Sequence, residues 1–261
     1  MLKFSANLNF FYGDLPFLDQ IAAAAKDGFK GVEFVSPYGC EPEEVKKALD
    51  NAGIVASLFN GPPGDWGKGE RGLVGLEERG DDFKKSVDTI IKYSNVIGCK
   101  RINVMAGIPT KPIAWEKLAD MLTDRLGYAA DAFAGHGITL LLEHINNYDI
   151  PGYCVETPAR ALEIIDRLNR KNAKIQYDVY HAQRTSGELV NFLRANFAKI
   201  DHIQIADNPG RNQPGTGEVN YKFVLDELDR LGYQGWVGLE YKPLPNAAGS
   251  LGWIKEMGYS L

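Results

Sequence analysis

Histidine is scarce in this chain, with four among 261 residues, and the four are poorly placed for a multi-zinc hydrolytic centre. Cysteine is scarcer still. Cys40, Cys99 and Cys154 lie far apart, form no metal-like pair and are odd in number. They are expected to be reduced thiols in a cytoplasmic protein. No run is apolar enough to span a bilayer. The N-terminal stretch "MLKFSANLNFFYGDLPFLDQ" has one early lysine, but polar residues interrupt its apolar part, so no signal peptide is expected. Charge of one sign is not concentrated anywhere. The net charge is -5 with both signs interspersed, which argues against a nucleic-acid partner. No linker or low-complexity segment divides the chain, so residues 1–261 read as one domain.

What is there is a repeat of form. A short β-branched run is followed by a polar loop and then an amphipathic helical stretch. The strand candidates are "KFSANLNF", "GVEFVS", "IVASLFNG", "RINVMAG", "TLLLEHI", "KIQYDVYH", "HIQIAD" and "WVGLEYKP". Helices are predicted near 14–27, 41–52, 81–97, 114–135, 157–169, 186–199 and 221–231, with a shorter one near 247–257. Thr157 before Pro158 reads as a helix cap with proline in the first turn. "KDGFKG", "NAGI", "GHGI" and "RLGYQG" place glycine between a helix and the next strand. Eight such units predict a single closed (β/α)8 TIM barrel. An open doubly wound sheet is second, and it lacks the glycine-rich phosphate turn after its first strand. The longest irregular piece, "NGPPGDWGKGERGLVGLEERG" at residues 60–80, holds Trp66 and Arg71 and reads as a lid.

Parallel barrels build active sites at the carboxyl ends of their strands. Glu143 ends strand five, Asp178 strand six and Glu240 strand eight, while Gln204 sits on strand seven. A lone strand-end acid is usually solvated or salt-bridged. Three acids and an amide level with one another on consecutive strands would repel without a cation among them. Their hard oxygen donors suit a divalent metal ion, Mg2+ or Mn2+, with Gln204 as the fourth donor. His181, Arg211 and Lys242 are candidates for substrate contact. The plainer reading makes them a loop histidine and two ion pairs. Asp207 and Asn208 read as turn-shaping residues. Glu33 also ends a strand but has no evident partner, and His136 and His202 read as structural.

On these residues the chain resembles the hydroxypyruvate isomerase family, within the xylose isomerase-like barrels. The marks are "FSANL", "GDWGKGERG", "LLLEHINNYDIPG", "KIQYDVYH", "HIQIADNPGRNQPGTGEVNY" and "GLEYKP", spread over nearly the whole length. The resemblance implies metal-ligand places for Glu143, Asp178, Gln204 and Glu240, with Glu143 and Glu240 doubling as the proton-transfer pair. It also implies that His181 and Arg211 hold substrate. Gln204 stands where related sugar epimerases commonly carry histidine. One departure is His144, where proline often follows the strand-five glutamate in this family. As the neighbour of an inward residue it should point the other way.

The expected reaction interconverts hydroxypyruvate and 2-hydroxy-3-oxopropanoate (tartronate semialdehyde) through an enediolate. Arg211, Lys242 and Arg71 are candidates for the substrate carboxylate, and Trp66 with the lid would exclude water. The alternatives are a 2-oxo-tetronate isomerase or a ketose 3-epimerase on the same barrel. A metal-dependent endonuclease IV-like phosphodiesterase lacks the histidines it needs, and a non-catalytic sugar-acid binder would leave the clustered acids without a purpose. The partner is a small hydroxy-oxo acid. The choice between a monomer and a homo-oligomer stays open.

Overall fold

Short runs of β-branched and aromatic residues become eight parallel strands in the computed structural model, which describes residues 1–261. They are β1 (Lys3–Asn7), β2 (Gly31–Phe34), β3 (Val55–Asn60), β4 (Arg101–Asn103), β5 (Thr139–Glu143), β6 (Ala173–Asp178), β7 (Ile200–Ile205) and β8 (Trp236–Leu239). They pair in sequence order, and β1 closes on β8 through Phe4 opposite Val237 and Ser5 opposite Gly238. The result is the closed (β/α)8 barrel expected from the repeat.

Ten helices surround it: α1 (Leu8–Phe11), α2 (Phe17–Lys26), α3 (Pro42–Ala52), α4 (Gly80–Ile97), α5 (Trp115–Ala134), α6 (Pro158–Leu168), α7 (Val179–Thr185), α8 (Leu189–Asn196), α9 (Tyr221–Arg230) and α10 (Gly252–Glu256). Local chemistry sets their ends. The Thr157 hydroxyl accepts the Arg160 backbone N–H, and Pro158 opens α6. Glu41 and Glu44 form a capping box at the start of α3, and Gly53 ends that helix in the left-handed region at φ 66. Apolar helix faces pack on the outer strand face, which is where the main core lies. No helix is long and apolar enough to cross a membrane.

Two helices were not foreseen. α1 and α7 follow directly on β1 and β6. In α7 the cause is Asp178, whose Oδ1 accepts from the backbone N–H groups of Tyr180 (2.7 Å) and His181 (3.2 Å). The β-branched and aromatic run "DVYH" reads as strand, but this cap turns it into helix. His181 therefore sits in the first turn of α7 and not along a strand or its loop.

The segment 60–80 divides in two. Leu73, Val74 and Leu76 are buried. Arg125 on α5 donates to the carbonyls of Leu73, Val74, Leu76 and Glu77 at 2.7–3.2 Å, stitching this half to the barrel. The first half is exposed around Trp66 and is braced by the ion pair of Glu70 with Arg79.

A pH effect arises on the outer helices. Glu227 on α9 takes a two-pronged contact from Arg194 on α8, at 2.6 and 2.8 Å, and a second from Arg230. These arginine hydrogen bonds pull its carboxyl down to about 2 from an ordinary 4.5. A depressed carboxyl pKa stabilises the fold above the unfolded value, and that stabilisation is lost as pH falls from about 4.5 toward 2. Glu227→Gln should therefore be less stable than the parent at about pH 6, with the gap closing toward about pH 2. Urea unfolding at both values checks this, and a gap that does not change with pH would refute it.

Candidate active site

The barrel interior is not the usual stack of branched aliphatic side chains. At its amino end Arg101 from β4 meets Asp201 from β7 at 2.7 Å, across the bore between non-adjacent strands. Above them lies Glu33, fully buried. Its Oε1 accepts from Asn7 Nδ2 (2.9 Å) and Gln204 Nε2 (2.7 Å). Its Oε2 accepts from Ser5 Oγ (3.4 Å) and stands 2.7 Å from His202 Nε2. Room for this carboxylate comes from Gly238, where a Cβ would collide with it. The partner that Glu33 lacks in sequence is thus four residues from β1 and β7, assembled by barrel closure.

The next layer up holds the acids. Glu143 ends β5 and accepts from Asn103 Nδ2 at 2.7 Å. Asp178 ends β6, and Glu240 follows β8. Asn7 links the layers by donating also to Glu240 Oε1 at 3.2 Å. One ligand-type atom from each of Glu143, Asp178, Glu240 and His181 lies within 4.8 Å of the others. His181 Nε2 is 3.6 Å from Asp178 and 3.9 Å from Glu143. Its Nδ1 faces Asn146 Nδ2 at 2.5 Å, while the Asn146 oxygen accepts from the backbone of Tyr148 and Asp149. Arg211 Nη2 stands 3.4 Å from the other ring nitrogen, so the ring is held between Asn146 and Arg211 with Nε2 turned toward the carboxylates.

Gln204, the fourth donor expected from sequence, is level with Asp178 in the β6–β7 register. Its nitrogen is on Glu33, and its oxygen accepts from Gln176 Nε2 at 2.6 Å, leaving one lone pair on that oxygen. His181 is the nitrogen donor that stands among the three acids.

Arg211 comes to the site through a built loop. Buried Asp207 accepts the N–H groups of Gly215, Gly217 and Val219, and so folds residues 207–219 back on themselves. Arg211 takes the left-handed region at φ 55, its N–H on Asp207 O and its carbonyl receiving Lys242 N–H. The guanidinium reaches Glu240 at 2.9 Å and Asp149 at 3.3 Å, and lies over Tyr180 and Phe10. It is a rigid fork held beside the acids.

Burial, together with the charge of Asp178, pushes the Glu143 carboxyl above its ordinary range. Burial does the same to Asp178, and to Glu240 with Glu143 and Asp178 adding to it, while Arg211 opposes both shifts. Burial and then Arg211 push the His181 ring well below its usual value. The acids are thus crowded and under-neutralised, and Asp178 Oδ2 is buried with no hydrogen-bond partner. A divalent cation answers both features.

A cavity of about 580 Å³ opens on this layer, lined on one side by Glu143, His181, Arg211 and Glu240. Trp66 lines its rim and is half exposed. Arg71 lies against the Trp66 ring at 3.7 Å and outside the lining. Lys242 is exposed and also outside it. Two-residue strand alternation would put Lys242 on the face of Glu240, but β8 stops at Leu239, after which the chain turns to pair with the Arg211 backbone. His144 points away from the site, edge-on to Tyr177, with neither ring nitrogen partnered. Burial pushes its ring down to about 3. Cys99 and Cys154 are buried, with thiols pushed up to about 12, and are poor nucleophiles.

The family model described as xylose isomerase-like TIM barrel matches residues 21–257. A hydroxypyruvate isomerase of Escherichia coli is 42% identical over 97% of this chain and 98% of its own. A 2-oxo-tetronate isomerase of Cupriavidus necator is 41% identical over 98% of both. Among solved structures, a Brucella melitensis protein named AP endonuclease, family 2, superposes with a TM-score of 0.95 at 36% identity, over 98% of this chain and 99% of that one. The chain belongs to the xylose isomerase-like TIM barrel family, and within it to the hydroxypyruvate isomerase-like isomerases.

Proposed function

We propose that this chain interconverts a short 2-oxo hydroxy acid and its isomer by moving a hydrogen between neighbouring carbons. Hydroxypyruvate and 2-hydroxy-3-oxopropanoate are the first pair, and 2-oxo-tetronate is the alternative substrate. The observation that carries the reading is the pair Glu143 and Glu240. Both are buried, each is held by an amide donor, and they face one cavity whose lining has Arg211 as its single permanent cation. Relatives named for these two activities support it.

The residues divide the work. Arg211 holds the substrate carboxylate with its planar fork. One of Glu143 and Glu240 removes the proton from carbon, and the other supplies one to the neighbouring carbon, by way of an enediolate. Asn103 and Asn7 keep the two carboxylates in place. Trp66 covers the mouth and limits water. Glu143, Asp178 and Glu240 would hold Mg2+ or Mn2+, with Gln204 or His181 completing the set. When bound, such an ion supplies polarisation of the substrate carbonyl and offsets the clustered negative charge. A multi-zinc phosphodiesterase reading finds no support in the histidines. His202 is taken by Glu33, His144 points outward and His136 is on Asn95.

Proton NMR of hydroxypyruvate in D2O tests the reading. Enzyme should bring deuterium into C3 and raise product signals. EDTA should abolish both, and added Mn2+ or Mg2+ should restore them. Absence of exchange with hydroxypyruvate and with 2-oxo-tetronate alike would remove the proposal. Exchange that survives EDTA would remove the metal from it.

A further inference from the structure

The acids and Arg211 occupy only one side of the cavity. Across it lies Asn60, the last residue of β3. In the closed order of eight strands, β3 stands opposite β7, the strand that feeds the Arg211 loop. Asn60 pairs in register with Asn103, whose side chain reaches inward to Glu143. Residues level with one another on neighbouring strands point to the same face, so the Asn60 side chain also points inward. It is 7% exposed and lines the cavity. Its backbone carbonyl accepts from Tyr38, but its side-chain amide has no partner in the protein. The amide opens on the cavity, where its hydrogen-bonding groups are free for a ligand.

We infer that Asn60 is a specificity-determining residue, which hydrogen-bonds a hydroxyl on the carbon beyond the reacting pair, and that the site therefore favours a four-carbon 2-oxo acid over a three-carbon one. This rests on the isomerase reading above. With the carboxylate (C1) on Arg211 and the reacting C2 and C3 over the acids, the chain points from the β7 side toward β3. Hydroxypyruvate ends at C3. A four-carbon acid adds a C4 hydroxymethyl group, directed at the free amide. The reaction is unchanged: one hydrogen leaves C3, one arrives at C2, and the C4 hydroxyl takes no part in the bond changes. The cavity volume, in the range that takes ligands much larger than a three-carbon acid, leaves room for the extra carbon. A site built to bond a hydroxyl discriminates strongly against an analogue that lacks it, because the protein group is then left unpaired.

The test compares two inert acids as inhibitors of hydroxypyruvate turnover: 2,3,4-trihydroxybutanoate and 2,3-dihydroxybutanoate, which differ only in the C4 hydroxyl. In the unmodified chain the trihydroxy acid should bind about tenfold tighter. In Asn60→Ala the ratio should fall to about one, and kcat/KM for 2-oxo-tetronate should fall about tenfold with that for hydroxypyruvate nearly unchanged. Equal inhibition of the unmodified chain by the two acids overturns the inference while the isomerase reading stands. So does an Asn60→Ala variant that lowers both substrates alike. If the unmodified chain turns over neither substrate, the isomerase reading falls and takes this inference with it. Should Asn60→Ala fail to fold, the inhibition ratio in the unmodified chain decides alone.

Discussion

Glu143→Gln and Glu240→Gln should each slow exchange of the substrate carbon-bound proton by roughly 10³-fold, within the range that a positioned acid–base group contributes. Glutamine keeps the shape of the side chain and most of its packing but cannot take up or release the proton. Both parents are held from the side by amides, Glu143 by Asn103 and Glu240 by Asn7, so neither carboxylate can swing to cover for the other. The loss should therefore appear in kcat, with a smaller change in KM. Affinity for Mn2+, measured by calorimetry, should weaken in the same variants, because each removes one anionic donor from the cluster. Asp178→Asn separates the two duties. It should weaken the ion and, with Mn2+ at saturation, retain far more exchange than either glutamine variant. Undiminished exchange in Glu143→Gln or Glu240→Gln, with the fold intact by circular dichroism, would remove the acid–base assignment.

The three acids could be read before the fold was known because a parallel barrel leaves little choice. Strands in this class end at one face, and an acid ending a buried apolar strand is out of place unless that face has work for it. The position of Arg211 was legible for a related reason, since its Gly/Pro loop follows one of those strands, and the structure gives it ion pairs with Glu240 and Asp149. The residues that escaped depend on closure or on a local competition. Glu33 seemed partnerless because Ser5, Asn7, His202 and Gln204 come from strands that meet it only when β8 returns to β1. α7 escaped because one aspartate oxygen, capping two N–H groups, outweighs the strand preference of Val179, Tyr180 and His181, which follow it. Lys242 was placed on the cavity by extending an alternation past the residue where the strand stops. Asn60 carries no signal of its own in sequence, being one polar residue at one strand end.

Glu33→Leu should destabilise the protein by about 3–5 kcal/mol, the scale expected when a buried hydrogen-bonded ionic network loses its acceptor. The carboxylate of Glu33 only accepts, and every group around it can donate. Leucine is close in volume but leaves the Gln204 amide and His202 Nε2 pointing at hydrocarbon. Asn7 fares better, since Glu240 still accepts from it. Glu33→Gln should cost less. Its amide nitrogen can face His202, whose Nε2 then accepts, while the remaining oxygen keeps Asn7 and Gln204; the ring proton moves to Nδ1, which has no partner already. The ordering Glu33→Leu well below Glu33→Gln, with both below the parent, is what urea unfolding should read. Adding His202→Leu to Glu33→Leu should recover more than about 1 kcal/mol, because removing both halves of a buried polar pair is cheaper than removing one. Loss of less than about 1 kcal/mol in Glu33→Leu would mean that this buried layer contributes little, against the general cost of orphaned buried donors. A measured loss of the expected size has a consequence for chemistry too. In Glu33→Leu, Asn7 holds Glu240 without its second anchor, so kcat in that variant should fall while KM stays near the parent value, the pattern of a proton-transfer group that is bound in place but poorly aimed, and Glu33→Gln, which keeps the anchor, should lose less.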